Sequence, residues 1–461
     1  MKRFISLILL AVACASAQAG EGAPVGVQTL VDIFQLAKQN DAVLASAQAG
    51  NVAAQEKLVQ GKALLLPNIG LSANASQIHS DAEFPGGSGA NNSTTPTSVG
   101  TKFVEDYNTY GYQLSLSQPI YRKQNWVGYE QSKIEVTLAD EQLNSTLQDL
   151  VLRVAQVYFD LLLAQDTVDL NAAQKSAIAN QLEQAKATFE VGTATITDVH
   201  EAQARYDLIV AQEIASKNDV EVKKQAVQQI IGQLPQRIAI LQEKPALKPV
   251  DPSGMDQWVE IAEQNNLKLK IQQKAMEIAN QEVLKATAGH HPTLDLVANY
   301  NKANSSGSTF GRDSRSNIDT TEIGLQFEVP LYQGGAISSR EREAVANQRK
   351  AREDLETVRR QADFDVRQAY LDVTSTLSQV LAYEQALLSS QSSLDSTQLG
   401  YEVGVRTSVD VLNAQQQYFT SKRDLLRARY NFLLSKLKLK SASGLLAEAD
   451  LTEINQLLVT Q

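Results

Sequence analysis

The chain has 461 residues, of which 42 are Lys or Arg and 52 are Asp or Glu, so its formal net charge is −10 at pH 7. This negative balance disfavours nucleic acid and anionic membrane surfaces as partners. The sequence holds 1 cysteine and 4 histidines, and it has neither a phosphate-binding loop nor a Gly-x-Ser-x-Gly sequence. Nothing in it therefore indicates an enzyme, a cofactor or a metal site.

Residues 1–19 have the pattern of a secretory signal peptide, in which a positively charged start and an apolar run precede the small-x-small site Ala17-Gln18-Ala19. Cys14, the one cysteine, lies inside this segment and is an alternative lipidation site, although the Ala17-Gln18-Ala19 site fits better. No later stretch reaches the roughly 18 consecutive apolar residues of a membrane-spanning helix. The mature chain is therefore either soluble or crosses a membrane as strands.

One sequence phrase occurs twice, at 189–201 and at 401–413. Each copy contains a glycine, Gly192 or Gly404, that can take the left-handed conformation that ends a helix. A Thr-x-x-Asp sequence follows in both copies and matches the capping box that begins a helix. Each copy is therefore predicted to reverse the chain between two helices.

The similarity extends over nearly the whole mature chain and predicts an internal duplication. Repeat 1 covers 20–232 and repeat 2 covers 255–444, with a proline-rich linker at 233–254 and a C-terminal tail at 445–461. Each repeat is predicted to contain helices, two strands joined by an exposed loop, a very long helix, a reversal and a shorter helix.

The predicted bounds of these elements are strands at about 67–79, 108–119, 292–303 and 320–331, long helices at about 122–188 and 335–400, and shorter helices at about 195–232 and 407–443. The first helical part of each repeat is predicted to break, near Asn40 and near Asn265. The strand-connecting loops are predicted at 80–107 and 302–320, because both are rich in Gly, Ser, Asn and Thr.

The predicted strands alternate between an apolar and a polar or small side chain, as transmembrane β-strands do. Tyr112 and Leu114 share one face, for example, while Gly111 and Ser115 share the other. Four strands cannot close into a barrel by themselves, since about eight is the smallest number that does. The chain is therefore predicted to assemble, and the small residues on the polar face favour three chains around an open lumen over two.

The long helices carry apolar seams that indicate packing against other helices. In the first, the seam residues repeat in heptads: Leu147, Leu150, Val154, Val157, Leu161, Ala164 and Val168. In the second, they follow an eleven-residue pattern: Leu355, Val358, Ala362, Val366, Ala369, Val373, Leu377 and Val380. Seams of this length predict a long helical bundle.

The doubled turns, together with 118–121 and 329–335 after the strands, resemble the TolC family of outer-membrane channel-tunnels over essentially the whole mature chain. The resemblance implies a mainly helical fold with a transmembrane β-barrel, in which a homotrimer shares one twelve-stranded barrel in outer-membrane lipid and continues as a helical tunnel across the periplasm. It implies an exit duct for multidrug efflux and type I protein secretion. A periplasmic adaptor and an inner-membrane RND, MFS or ABC transporter would dock on this duct and open it.

The resemblance also implies the residues of a gate at the periplasmic entrance. Asp410 matches an aspartate that forms an acidic ring in the trimer, and Asn413 stands where the family has a second aspartate. Glu201, at the equivalent place in repeat 1, could supply the missing charge. The polar links that hold the entrance shut match Tyr401, Arg406, Asp198, Thr197 and Gln181. The turn residues that would contact the adaptor are Gly192, Thr193, Gly404 and Val405.

Spacing alone gives Asp198 and Asp410 another role, because each stands where a capping acid stabilises a helix by about 0.3–1 kcal/mol. The capping role and the gate role can hold at once. Arg406 has Ala194 as its counterpart in repeat 1, so the turn itself does not require an arginine.

Two alternatives to the trimeric duct are also compatible with the sequence. The chain could be a soluble periplasmic coiled-coil scaffold, in which the alternating segments form a small sheet. It could also be a lipid-anchored outer-membrane factor that serves one pump, attached through Cys14.

Overall fold

The computed structural model describes residues 27–84, 101–309 and 312–459. The predicted signal peptide and Cys14 lie outside the described residues. None of the helices within these ranges combines the length and the apolar composition that crossing a membrane would require.

The described helices are α1 (Leu30–Asn40), α2 (Ala42–Ala63), α3 (Lys123–Glu190), α4 (Ile196–Ile231), α5 (Met255–Asn265), α6 (Leu267–Thr287), α7 (Ala336–Glu402), α8 (Ser408–Ala442) and α9 (Glu448–Asn455). The described strands are β1 (Asn68–Phe84), β2 (Thr101–Tyr121), β3 (Ile240–Leu241), β4 (Thr293–Thr309), β5 (Arg312–Glu328) and β6 (Leu458–Val459). A short 3-10 turn, Ala288–His290, follows α6.

The first helical part of each repeat breaks at the predicted place. Asp41 separates α1 from α2, and Asn266 separates α5 from α6. Both residues are N-caps, since Asp41 accepts a hydrogen bond from the Leu44 backbone at 2.7 Å and Asn266 from the Leu269 backbone at 3.0 Å. These side chains offer the backbone an alternative to continuing the helix.

The two long helices dominate the shape of the chain. α3 has 68 residues and α7 has 67, so each extends roughly 100 Å at the usual rise of an α-helix. Their predicted apolar seams are buried or partly buried along the whole length of both. The seams therefore are packing surfaces, as predicted.

The four long strands form one antiparallel sheet in the order β1-β2-β4-β5. The register aligns Ile69, Leu116, Ala298 and Ile323 in one row across the sheet. The adjacent row, which faces the other way, contains Gly70, Ser115, Asn299 and Glu322. The predicted division into an apolar and a polar face is confirmed by this register.

The strands are longer than predicted, and the predicted loops at 80–107 and 302–320 were wrong wherever strand replaces them. β1 and β4 continue to Phe84 and Thr309, while β2 and β5 begin at Thr101 and Arg312. A strand of 17 residues spans roughly 55 Å, whereas about 9–11 residues cross a bilayer. The additional residues are mostly polar, and the main-chain hydrogen bonds between the strands need no apolar face.

A partly buried ion pair joins the sheet to the helices. Arg122, between β2 and α3, reaches Asp295 on β4: its Nε donates to Oδ1 at 2.8 Å and its Nη2 to Oδ2 at 2.5 Å. Asp295 is buried, so the bidentate contact supplies the hydrogen bonds that its carboxylate would otherwise take from water.

The main apolar core lies midway along the long helices. Residues 150–162 of α3, 366–380 of α7 and the C-terminal half of α8 pack there with the short helices α1, α5 and α9. The predicted linker and tail belong to this region, because β3 pairs with β6 and the Tyr158 hydroxyl donates to the Ala239 carbonyl at 2.7 Å.

The helices form two successive layers, both built on α3 and α7. Near the sheet, α2 packs on α3, α3 on α6 and α6 on α7. Near the reversals, α4 takes the place of α2 and α8 the place of α6, so that the order becomes α4, α3, α8, α7. The outer helices are therefore α2 and α7 in the layer near the sheet, and α4 and α7 in the layer near the reversals.

Candidate gate at the helix reversals

The two helix reversals have the same backbone geometry. Gly192 has φ 74° and Gly404 has φ 80°, both in the left-handed region that favours glycine. The Thr193 backbone then donates to Thr188 at 2.9 Å, and the Val405 backbone to Gly400 at 2.9 Å. Both bonds are typical of a helix that ends on a left-handed glycine.

Both Thr-x-x-Asp sequences are complete capping boxes, as predicted. Asp410 Oδ2 accepts from the Thr407 backbone at 2.9 Å and from the Thr407 hydroxyl at 2.8 Å. Asp198 Oδ2 accepts from the Thr195 backbone at 3.0 Å and from its hydroxyl at 2.7 Å. One oxygen of each carboxylate is thus committed to its own helix start.

Asp410 remains negative over a wide pH range. Its pKa lies below the usual value, first because the Thr407 backbone donates to the carboxylate, then because the Thr407 hydroxyl does, and further because Arg406 is nearby. The carboxylate is only partly buried. Asp410 can therefore cap α8 and still present a charge at the end of the molecule.

One predicted latch residue makes a direct bond between the two repeats. Gln181 on α3 is buried, and its Nε2 donates to Ser408 Oγ, at the start of α8, over 3.0 Å. Two turns away, Gln174 donates to Gln416 at 2.8 Å and adds a second bond between the same helices. Ser408 and this second pair were not found from the sequence.

The other predicted latch residues lie around the turns without contacting each other in one chain. Tyr401 is partly buried, whereas Arg406 and Thr197 are exposed. Within the described residues, no hydrogen bond joins Tyr401 or Arg406 to Asp198, which is occupied by its own cap. Arg406 instead extends along Gly400, where a Cβ would come within 2.7 Å of the arginine Cγ.

The structure brings Glu201 and Asn413 together through a residue that the sequence reasoning missed, Arg205. Its Nε donates to Glu201 Oε1 at 3.1 Å and its Nη2 to Asn413 Oδ1 at 3.0 Å. Glu201 is therefore an ion-paired carboxylate rather than a free one. The four-residue spacing from Glu201 to Arg205 is the signal that could have indicated the pair.

The tips of both reversals expose apolar side chains. Val191 and Val405 are 74% and 76% exposed, and they flank the two glycines together with Phe189 and Val403. Gly192, Thr193 and Gly404 are exposed too, so the predicted docking residues form accessible tips. No cluster of His, Cys, Asp and Glu among the described residues could hold a metal ion.

Comparison with known proteins identifies the class. The model of the family described as "Outer membrane efflux protein" matches residues 33–233 and 258–445. The chain is 34% identical to "Outer membrane protein TolC" of Vibrio cholerae over 93% of either sequence. It is 31% identical to "Alkaline protease secretion protein AprF" of Pseudomonas aeruginosa, over 92% of this chain and 85% of that protein.

Solved structures agree on the fold. The Campylobacter jejuni CmeC outer membrane channel superposes with a TM-score of 0.74 at 18% identity, covering 93% of this chain and 89% of that one. The two long helix pairs and the four-stranded sheet of this chain are therefore the fold of known outer-membrane channels. The chain belongs to the outer membrane efflux protein family, which is a family of channels and not of enzymes.

Proposed function

We propose that three copies of this chain close into one exit duct, with a single β-barrel in the outer membrane and a helical tunnel below it. The observation that carries the proposal is that, in the described residues, the sheet and both helical layers end in an edge with no further long strand or helix beside it: β1 and β5 in the sheet, α2 or α4 and α7 in the helical layers. A strand edge within a membrane must be paired, which a ring of chains achieves.

Three chains suit this barrel better than two. An eight-stranded barrel is filled by its own side chains, whereas a twelve-stranded one leaves a lumen. The polar face of the sheet contains small residues such as Gly70, Gly111 and Ser115, which would line that lumen.

The duct serves efflux and secretion, together with adaptor and pump components. For this chain we propose a periplasmic adaptor that couples it to an RND, MFS or ABC transporter in the inner membrane. The names of its relatives support both uses, since one is a TolC and another is a protease secretion protein. Membership of an outer-membrane family sets aside the alternative of a soluble scaffold.

We propose further that the reversals are the periplasmic gate. Asp410 forms an acidic ring. When the entrance is shut, Tyr401 and Arg406 contact Asp198 and Thr197 of a neighbouring chain. Gln181 holds the α3–α4 pair and the α7–α8 pair of one chain together. The adaptor docks on the exposed turns, at Gly192, Thr193, Gly404 and Val405. Its binding shifts the equilibrium between the shut and the open entrance. Partly exposed polar contacts of this kind differ by only a few kcal/mol between two states, which is what a docking partner can supply.

Planar bilayers test the proposal. The purified mature protein should form small, cation-preferring channels, and Arg406→Ser or Tyr401→Phe should raise their conductance because the shut entrance loses a polar link. Absence of any conductance would count against the duct. Unchanged conductance in both variants would remove Tyr401 and Arg406 from the gate.

A lipid-anchored factor dedicated to one pump is the second candidate, and Cys14 is the feature that favours it. A mass measurement on the mature N-terminus distinguishes the two forms, since a chain cleaved after Ala19 has no cysteine to carry a lipid.

A further inference from the structure

Arg205 connects the start of α4 to the start of α8. It donates to Glu201 at 3.1 Å and to Asn413 at 3.0 Å. Glu201 lies one turn N-terminal to Arg205, which is the favourable orientation for an i,i+4 ion pair and holds the guanidinium in place. One side chain thus contacts both positions at which a second acidic ring was expected.

The bond to Asn413 is a fastening between the two repeats. Within the described residues, which include α4 and α8 in full, it is the side-chain hydrogen bond that joins these two helices. Ala202 and Leu412 are buried beside it in a small apolar cluster. The Arg205 side chain is 29% exposed, so its contacts are partly shielded from water and stronger than those of a fully exposed pair.

The contacts of Arg205 also determine how much negative charge lies one helical turn beyond Asp410, at Asn413 and Glu201. Asn413 is neutral, and the negative charge of Glu201 is balanced by Arg205. The Asp410 carboxylate has a backbone amide and a hydroxyl as donors and no ion-pair contact within 4 Å among the described residues. Asp410 therefore keeps a carboxylate without an ion-pair partner in the described residues, whereas Glu201 does not.

We infer that Arg205 is a specificity-determining residue of the entrance: it joins α4 to α8 through Asn413, and it neutralises Glu201, so that the ring at Asp410 is not followed by a second ring of unpaired carboxylates. The inference rests on the proposed gate and adds to it a residue and a charge pattern. Multivalent cations should therefore bind at the Asp410 ring. The Arg205 guanidinium limits the strength of that binding, because it neutralises Glu201.

The duplication supplies a matched substitution. The residue equivalent to Arg205 in repeat 2 is Gln417, just as Asp410 is equivalent to Asp198. Gln417 stands in an intact α8 and donates to Ser421 at 3.4 Å. A glutamine at this position is therefore compatible with the helix, so Arg205→Gln removes the charge and both contacts while retaining helix propensity.

The test is block of single-channel current by a trivalent hexaammine cation, added from the tunnel side to the full mature protein. Arg205→Gln frees Glu201, and we expect the half-blocking concentration to fall at least about fivefold, because a trivalent cation meets an additional unit charge from each chain. We also expect a higher conductance, because the fastening to Asn413 is lost.

Two further variants separate the two effects. Asn413→Ala removes the fastening but keeps the Glu201–Arg205 pair, so conductance should rise while the half-blocking concentration stays at the wild-type value. The double variant Glu201→Gln with Arg205→Gln removes the freed charge, so the block should return to the wild-type value while conductance stays raised. Thermal unfolding of all variants checks that the fold is retained.

Unchanged block and unchanged conductance in Arg205→Gln would overturn the inference. If Asp410→Ala abolished the block at the same time, the proposed gate would still stand and only the role of Arg205 would fall. A wild-type protein without conductance would instead count against the proposed duct.

Discussion

Asp41 and Asn266 occupy equivalent helix breaks but hold their helices with different chemistry. Asp41 is 4% exposed and accepts from Arg153 Nη1 at 2.9 Å and Nη2 at 3.0 Å in addition to its cap. Asn266 makes the same cap without charge, and its Nδ2 donates to the Ala442 carbonyl at 2.8 Å. The pKa of Asp41 is lowered, chiefly by the hydrogen bonds from Arg153.

Asp41→Asn should reproduce the uncharged cap of repeat 2 and lose the ion pair. Because Arg153 is 36% exposed, we expect a loss of only about 1 kcal/mol in the free energy of unfolding at pH 7. A lowered pKa in the folded state means that the contribution of Asp41 is complete above its ordinary value of 3.8 and is lost as the pH falls through the folded value.

Thermal or denaturant unfolding in detergent at two pH values measures this difference. Wild type and Asp41→Asn should differ at pH 7 and converge in acid. The converse variant, Asn266→Asp, serves as control: it should be destabilised at pH 7, because its carboxylate would lack an arginine and face the Ala442 carbonyl. A pH-independent deficit in Asp41→Asn would contradict the ion-pair account.

At this scale the sequence predicts what is local. Thr195 and Thr407 with their aspartates, and the left-handed Gly192 and Gly404, follow from patterns within a few residues. The Arg153–Asp41 pair joins residues 112 positions apart, and the Arg205–Asn413 bond joins residues 208 apart. No spacing rule reaches that far, because only the packing of one helix pair on another brings these groups together.

A largely buried polar pair joins α3 to α8 at the edge of the main core. Tyr430 is 3% exposed, and its hydroxyl donates to Asp166 Oδ2 at 2.6 Å. Burial raises the pKa of Asp166, while the Tyr430 bond lowers it, Asp169 raises it and Lys422 lowers it. The hydroxyl therefore is the donor that makes a charged carboxylate tolerable at this crossing.

Tyr430→Phe should cost about 1–3 kcal/mol at neutral pH, because it leaves the Asp166 carboxylate without its donor. A carboxyl whose folded pKa is raised binds its proton more tightly in the folded state, so stability falls as the pH rises above the ordinary value of 3.8. The deficit of Tyr430→Phe should thus be smaller at pH 4 than at pH 7. Tyr430→Phe combined with Asp166→Asn is the control, and it should remove the pH dependence of that deficit.

The sheet shows why element bounds were harder to predict than element types. The alternation at Tyr112 and Leu114 indicated strands, because one face is apolar. Beyond that band most side chains on both faces are polar, as in the cross-strand bonds between Ser76 and Thr109 and between His79 and Asp106. Composition there is that of a loop, and only main-chain pairing makes it a strand.

The two faces of β5 give a matched pair of substitutions. Ile323 is 75% exposed on the apolar face, and Glu322 is its neighbour on the polar face. Ile323→Arg places a charge towards lipid and should cost about 2–4 kcal/mol on membrane insertion, whereas Glu322→Arg should cost much less. The yield of protein folded in lipid vesicles measures both. Equal yields would contradict the assignment of the faces.

At the scale of the whole molecule, the duplication predicts how chains meet. Within one chain α3 packs on α8, and the equivalent pair across a ring of chains is α7 of one chain and α4 of the next. α7 and α4, the outer helices of the layer near the reversals, both expose large apolar side chains in a single chain. Those on α7 are Phe364, Leu371, Leu381, Leu388 and Leu399, and those on α4 are Leu208, Ile214 and Val222.

The linker and the tail show what the sequence did not predict at this scale. Residues 233–254, with four prolines, look like a spacer, yet Arg429 donates to the Glu243 carbonyl at 2.7 Å and Trp258 to the Pro252 carbonyl at 2.7 Å. The linker residues pack, together with α9, against the middle of the long helices. Their isolated sequence has no period that indicates such packing.

A charge on the free face of α7 should therefore prevent assembly without unfolding the chain. Leu388 is 61% exposed in one chain, and burial of this side chain against α4 of the next chain would contribute up to about 1.5–3 kcal/mol. Leu388→Glu loses this and buries a carboxylate at each of the three equivalent interfaces, so most of the trimer should be lost. Ser389→Glu, next along the helix and also exposed, adds the same charge about 100° around the helix from Leu388 and should keep the trimer. Unheated electrophoresis and sedimentation in detergent measure the assembly, and circular dichroism checks the helices. A stable trimer in Leu388→Glu would mean that α7 does not meet α4 of the next chain.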